Sequence, residues 1–264
     1  MATSRLPQFD IGKISTPSFV IDEGLLEKNL KILQIVKRRT GAKILLALKA
    51  YSAFSTFPLI RKYLDGVCAS SPNEARLGHE EFGKEVVVAA PAYTEEHIKE
   101  LIKYSTCIIF NSFNQWKRHG KTILANGIEC GIRINPECSS APTSLYDPCA
   151  PFSRLGVPIK NFEAGSLQGI SGLHFHALCE QNADALEKIL KSAEAKFGKY
   201  FSRMKWVNFG GGHHITKEGY DIDLLCDLIN SFKKRHGVDV YLEPGEAIAL
   251  NAGFLVASVV DIIN

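Results

Sequence analysis

The sequence predicts an α/β fold closed into a (β/α)₈ TIM barrel, on three observations. Apolar strand candidates alternate with amphipathic helical stretches, the alternation runs to eight units, and polar side chains and glycines gather at the C-terminal ends of the strand candidates. Strands that alternate with helices pair in parallel, and eight such units close on themselves. A doubly wound open sheet is the rival, because periodicity alone does not prove closure.

Taken in order, residues 17–22 read as a strand ahead of the barrel, and Leu26, Leu30 and Leu33 mark a helix before the first barrel strand. The eight strand candidates are 43–50, 65–70, 85–91, 107–112, 130–136, 170–178, 206–212 and 238–245. The clearest connecting helix begins at Asn182, a good N-cap, with Leu186, Ile189, Leu190, Ala193 and Phe197 on one face; Leu225, Leu228 and Phe232 mark another. Residues 137–152 are rich in Pro, Ser and Cys without a period, so they read as a long loop after the fifth strand, where barrel loops commonly carry function. Residues 254–263 read as a strand that ends the chain. With no partner after it, such an apolar edge would be aggregation-prone, which suggests a fragment or a covering chain. The expected organisation is a strand segment of a β-domain (1–23), the barrel (24–247) and the start of a second β-domain that looks truncated (248–264).

Composition narrows the function classes. At 264 residues and 45% hydrophobic content the chain can bury one large core. A net charge of +3, with both signs interspersed, does not point to nucleic acid or membrane as a partner. Seven cysteines without paired spacing suit a reduced, cytoplasmic setting.

Lys49 stands at the end of the apolar run Ile44, Leu45, Leu46, Ala47, Leu48. An ammonium in a strand buried on both faces is costly unless its pKa falls, and a lysine so shifted is a nucleophilic amine; the alternative is a lysine at the strand's exit into solvent. The other strand ends bear on the choice, since barrel chemistry sits there. They carry Ser70, Ser71 and Glu74, then Asn111, Arg133, His174 and His176, the run Gly210, Gly211, Gly212, and finally Glu243, Pro244, Gly245, Glu246. A glycine run leaving a late strand exposes backbone N–H groups suited to a phosphate. His174 and His176, with His213 and His214 nearby, resemble a metal pair, but no third ligand completes a set, so an imidazole against a flat ligand is preferred and no metal is expected. Glu243 is either a satisfied core carboxylate or a fixed anion for a cationic ring. Amine, phosphate donors, ring contact and carboxylate together describe a pyridoxal phosphate site.

The sequence resembles the fold-III, alanine racemase-like group of pyridoxal 5'-phosphate (PLP) enzymes, in the branch of ornithine and diaminopimelate decarboxylases, and within it the carboxynorspermidine (carboxyspermidine) decarboxylases. The resemblance covers essentially the whole chain. Its motifs, in order, run from Ala47 to Ser52, Ala69 to Glu74, Tyr146 to Pro148 with Ser153 to Gly156, Leu173 to His176, Phe209 to Gly212, and Glu243 to Glu246. It implies that Lys49 bears the cofactor, His176 stacks on its ring, Gly210, Gly211, Gly212 and Gly245 hold the phosphate, and Glu243 faces the pyridine nitrogen. Ornithine-type relatives carry arginine directly after Glu-Pro-Gly, whereas this chain has Glu246, which favours a cationic, carboxylated polyamine substrate. Asp147, Arg133 and Arg154 are weaker candidates for substrate contacts.

The implied reaction is loss of the α-carboxylate in polyamine (spermidine) biosynthesis, in a homodimer with the active site at the interface. In the resembled enzymes a C-terminal β-domain supplies a cysteine across that interface, and nothing in the sequence gives Cys179 that role. The 264 residues alone are therefore expected to be a poor catalyst. Other fold-III activities (diaminopimelate or ornithine decarboxylation, amino-acid racemisation) and a non-catalytic PLP-binding barrel remain alternatives.

Overall fold

The protein is represented by a computed structural model, which describes residues 9–139 and 147–263. Eight parallel strands form a closed barrel: β2 (Lys43–Ala47), β3 (Gly66–Ala69), β4 (Glu85–Ala89), β5 (Cys107–Phe110), β6 (Glu129–Arg133), β7 (Gly172–His174), β8 (Trp206–Asn208) and β9 (Asp239–Leu242). Closure is made by β2 against β9, with Lys43 opposite Tyr241 and Ile44 opposite Leu242. The open-sheet alternative is thereby removed.

The helices form the outer layer for reasons visible in their sequences. Helix α1 (Glu23–Thr40) is capped by Asp22, whose carboxylate accepts the Leu25 N–H, and buries Leu26, Leu30, Leu33 and Val36. Helix α6 (Ala183–Phe201) begins after Asn182 as expected and buries the five apolar residues that its period marked. In α7 (Ile222–His236) the buried face is Leu225, Cys226, Ile229 and Phe232; Leu228 is only half-buried, so the stripe lies one position round from the expected one.

Strand alternation divides the side chains into two cores. Ile44, Leu46, Val67, Val86, Val88, Ile108, Phe110, Leu173, Val207 and Val240 face the helices. Leu45, Cys68, Val87, Cys107, Ile109 and Trp206 fill the barrel interior, with Ala89 and Tyr241 packed against them. Room for the Trp206 indole comes from glycines on the neighbouring strands, since a Cβ at Gly172 would lie 2.1 Å from the ring and one at Gly131 2.6 Å. This indole lines the cavity at the N-terminal mouth, where its Nε1 donates to Glu129 at 3.0 Å.

Every barrel strand stops short of its expected C-terminal limit. At β2 the reason is explicit: the Ala47 N–H donates to the Pro244 carbonyl, and the Ala50 and Tyr51 amides both turn back to the Ala47 carbonyl. The expected strand 254–263 is also shorter. Only β10 (Gly253–Val256) forms, and it pairs antiparallel with β1 (Ser18–Ile21), so the lone edge does have a partner. Tyr146 and the rest of residues 140–146 lie outside the described residues.

Candidate active site

The same alternation that separates the cores aims one set of residues along the barrel axis. Leu45 and Ala47 point inward, so Lys49 follows; by the same count Ser70, Arg133, His174 with His176, and Glu243 continue inward-facing series. Lys49, Cys68, Ser70, Arg133, His174, His176 and Glu243 line one cavity at the C-terminal mouth. A second cavity, at the opposite mouth, is lined by the Lys43–Glu85 ion pair, Glu129, Lys205 and Tyr241, the end of a barrel where polar contacts serve stability.

Lys49 does not sit where the burial reading placed it. It lies on the turn after β2 and is exposed, while Leu48 before it is buried. Desolvation inside a strand is therefore not what sets it apart; its position at the cavity mouth is. The turn is pinned from the far side of the barrel seam, because a Cβ at Gly245 would lie 2.5 Å from Ala50 Cβ. Only glycine lets the Glu-Pro-Gly turn press so closely on the lysine turn.

Glu243 lies just beyond β9 and is buried. The Asn208 amide donates to its Oε1 at 2.7 Å, and His174 Nε2 lies 3.4 Å from its Oε2. Burial works against ionisation, but the His174 and His176 imidazoles and the Asn208 hydrogen bond outweigh it, and the carboxyl is held down at about 2. His174 moves the other way: burial pushes its pKa down against the pull of Glu243. A neutral His174 beside an anionic Glu243 satisfies both directions.

His176 lies past the end of β7 rather than within it, because the Phe175 amide donates to the Asn208 carbonyl and the ladder ends there. Its Nδ1 accepts the Gly211 N–H at 3.1 Å, which assigns the ring proton to Nε2. Burial, then Lys49 and Arg133, hold its pKa well below the ordinary value, so the ring is neutral where it lines the cavity. Arg133 donates from Nη2 to the His176 carbonyl at 3.3 Å. That bond ties the Arg133 side chain, which also lines the cavity, to the backbone that carries the imidazole.

The sequence offered no third donor to the two histidines. The structure brings Glu243 to them, with one ligand atom from each of the three within 4.8 Å of the others. His176 Nδ1 is taken, however, by the Gly211 N–H and Glu243 Oε1 by the Asn208 amide, while His174 Nε2 faces the other Glu243 oxygen at 3.4 Å. That arrangement suits side chains held rigid for an organic ring better than a metal centre.

In the glycine turn, the Gly210 N–H donates to Asn208 Oδ1 at 2.8 Å and the Gly211 N–H to His176 Nδ1. Those two amides hold the walls of the site. Gly212 and Gly245 are left with amides that donate to no acceptor among the described residues. Gly210 and Gly212 have φ of +71° and +82°, and a Cβ at Gly211 would lie 2.6 Å from the Glu243 carbonyl oxygen.

The remaining candidates divide. Glu246 opens α8 (Glu246–Ala249) and lies 3.0 Å from His214 Nε2. Asp147 accepts the Cys149 N–H at 2.7 Å, which shapes its own loop. Arg154 contributes a carbonyl that accepts from Asn111 Nδ2, and Asn111 Oδ1 accepts the Gly156 N–H, so Asn111 ties the long loop down. Glu74 takes the Ser70 N–H while Ser71 caps α3 (Pro72–Leu77), a helix-start arrangement. Cys179 is half-buried beside the mouth. Sequence reasoning missed Asn208 and Cys68. Asn208 bridges Glu243 and the glycine turn; Cys68 is a buried thiol whose pKa is raised by burial and by the charge of Glu243. The signal for Asn208 was a polar residue in the last strand position before the glycine run.

No family model matches the chain. Among curated proteins it is 47% identical to carboxynorspermidine/carboxyspermidine decarboxylase of Campylobacter jejuni over 96% of this chain and 65% of that protein. It is 38% identical to the protein of the same name from Herminiimonas arsenicoxydans, over 94% of this chain and 68% of that one. The chain belongs to the carboxynorspermidine/carboxyspermidine decarboxylase family. Carboxyaminopropylagmatine decarboxylase of Synechocystis is 41% identical over 96% of this chain and 66% of that protein. Among solved structures, carboxynorspermidine decarboxylase from C. jejuni complexed with norspermidine superposes with a TM-score of 0.88 at 45% identity, covering 95% of this chain and 65% of that one. The chain thus spans 65–68% of the length of these relatives, about two thirds. A structure of SrLDC in complex with PLP and cadaverine, at 19% identity and a TM-score of 0.72, shares the fold.

Proposed function

We propose that this chain forms the PLP-binding part of a decarboxylase that removes the α-carboxylate of carboxynorspermidine or carboxyspermidine and releases norspermidine or spermidine. The observation that carries the reading is the convergence of Lys49, His176 and Glu243 on one cavity. The donor set fits the cofactor: a solvent-facing amine to bond its aldehyde, a neutral flat imidazole, an anion, and two unengaged glycine amides at Gly212 and Gly245 for the phosphate. Bound there, PLP supplies an electron-accepting ring for the pair left when CO₂ departs.

Each residue's part follows from its surroundings. Glu243, ionised and fixed by Asn208, keeps a proton on a facing ring nitrogen. His176, with its tautomer set by Gly211, gives a contact face without adding charge, and Arg133 steadies it through its backbone carbonyl. Lys49, free of the strand, has the reach to attach at the cofactor and to carry a proton to and from the reacting carbon. Glu246 offers a carboxylate to a cationic substrate, with Asp147 a weaker candidate at the rim. The reading includes a homodimer and a reducing, cytoplasmic compartment, which the seven free thiols support.

The test is decarboxylation by the holoenzyme of carboxynorspermidine, carboxyspermidine, carboxyaminopropylagmatine, diaminopimelate and ornithine side by side. Higher kcat/KM for the first two is expected; preference for diaminopimelate or ornithine would overturn the reading.

A further inference from the structure

A second group of ionisable side chains converges beside the Lys49 cavity. Glu180, His214 and Glu246 each place one ligand atom within 4.8 Å of the other two. Glu180 lies on the loop between β7 and α6, His214 follows the glycine turn, and Glu246 follows Gly245 directly. The carboxylates are exposed, while His214 is only 7% exposed. Neither ring nitrogen of His214 makes a hydrogen bond of good geometry, although its Nε2 lies 3.0 Å from Glu246 Oε2. A buried imidazole with unmet polar atoms therefore faces two carboxylates that solvent reaches. Carboxylates this close repel unless a cation or a proton lies between them, and one imidazole edge can serve at most one of them.

The group borders the cavity mouth. Burial first, then Glu180 and Glu246, push the Cys179 thiol up, and Lys49 pulls it down, so that thiol sits in the field of both the acidic pair and the lysine. Gly245, packed on Ala50, fixes Glu246 relative to the lysine turn.

We infer that Glu180 and Glu246, with His214 behind Glu246, form a subsite for an ammonium group of the polyamine. This rests on the polyamine reading above and extends it from one residue to a three-residue site. An alkylammonium carries three N–H donors on one charge, enough to take an oxygen from each carboxylate at once. His214 acts as a positioning residue, holding Glu246 toward the ligand.

The experiment is calorimetric titration of the holoenzyme with norspermidine, for the wild type and for Glu180→Gln, Glu246→Gln and the double variant, with borohydride labelling of Lys49 scored alongside. Each single substitution is expected to weaken norspermidine binding about tenfold, with labelling of Lys49 undiminished. Unchanged affinity in both single variants, with labelling intact, overturns the subsite and leaves the decarboxylase reading standing. Failure of the wild type to bind norspermidine overturns both. A parallel titration with Mn²⁺ or Zn²⁺ covers the other cation: tight metal binding that the substitutions abolish, while norspermidine affinity stays at wild-type level, makes the group a metal site and overturns the inference. His214→Gln is expected to weaken binding less than either carboxylate variant. A larger loss there would make His214 the ligand contact and overturn its positioning role.

Discussion

Asn208→Asp isolates what holds Glu243 in place. The aspartate keeps an oxygen for the Gly210 N–H, which now donates to Oδ1 at 2.8 Å, but it replaces the amide that donates to Glu243 at 2.7 Å by a second carboxylate. The lost charge-assisted hydrogen bond is worth about 1.5–3 kcal/mol. The two carboxyls cannot both ionise at that separation, so one binds a proton with a raised pKa. In the wild type the Glu243 carboxyl is lowered from 4.5 to about 2, so its contribution is present above 4.5 and is lost only as pH falls toward 2. In the variant the upper pKa of the pair rises above the unfolded value, so stability is lost as pH rises through it. The deficit relative to wild type should therefore grow from about pH 5.5 to about pH 8, reaching roughly 3 kcal/mol, or about 6–12 °C in Tm. Thermal unfolding of both proteins across that range is the assay. A deficit below about 1 kcal/mol at the alkaline end, or one that does not change with pH, would refute the reasoning.

Three further outcomes are expected. His174, His176 and His213 all have pKa values lowered from 6.5 by burial, His213 to about 4, so the unfolded chain binds more protons in that window and stability should fall as pH drops from 6.5 toward 4; urea unfolding at stepped pH checks this. Gly211→Ala puts a Cβ 2.6 Å from the Glu243 carbonyl and should cost about 1–3 kcal/mol and weaken PLP binding, as read by cofactor titration. Gly198→Ala, in the interior of α6 with nothing within 4 Å, should instead stabilise by about 0.5–1 kcal/mol in the same unfolding assay.

Much of this architecture was legible because it rests on periods. The strand candidates and the α6 face are repeats of two and 3.6 residues, and the same two-residue count carries Leu45 and Ala47 on to Lys49. Strand ends were not legible. Whether β2 continues past Ala47 depends on a hydrogen bond from across the seam, at Pro244, and no local pattern encodes that. The placing of Lys49 inside strand 43–50, rather than on the turn after it, follows from this; its exposure is what the solvent-exit alternative expected. Asn208 was overlooked because its two partners, Glu243 and Gly210, lie 35 and 2 residues away and become neighbours only when β8 and β9 pair. The pairing of β1 with β10 joins residues from opposite ends of the chain, so an apparently lone edge could not be matched to its partner by inspection.

The account turns on Lys49 as the residue that bonds the cofactor. Incubation with PLP, reduction with borohydride and peptide mass spectrometry test this directly. A single pyridoxyl group on the peptide containing Lys49, absent in Lys49→Ala, is the expected result. An adduct on any other lysine, or none with the wild type at saturating PLP, would contradict it.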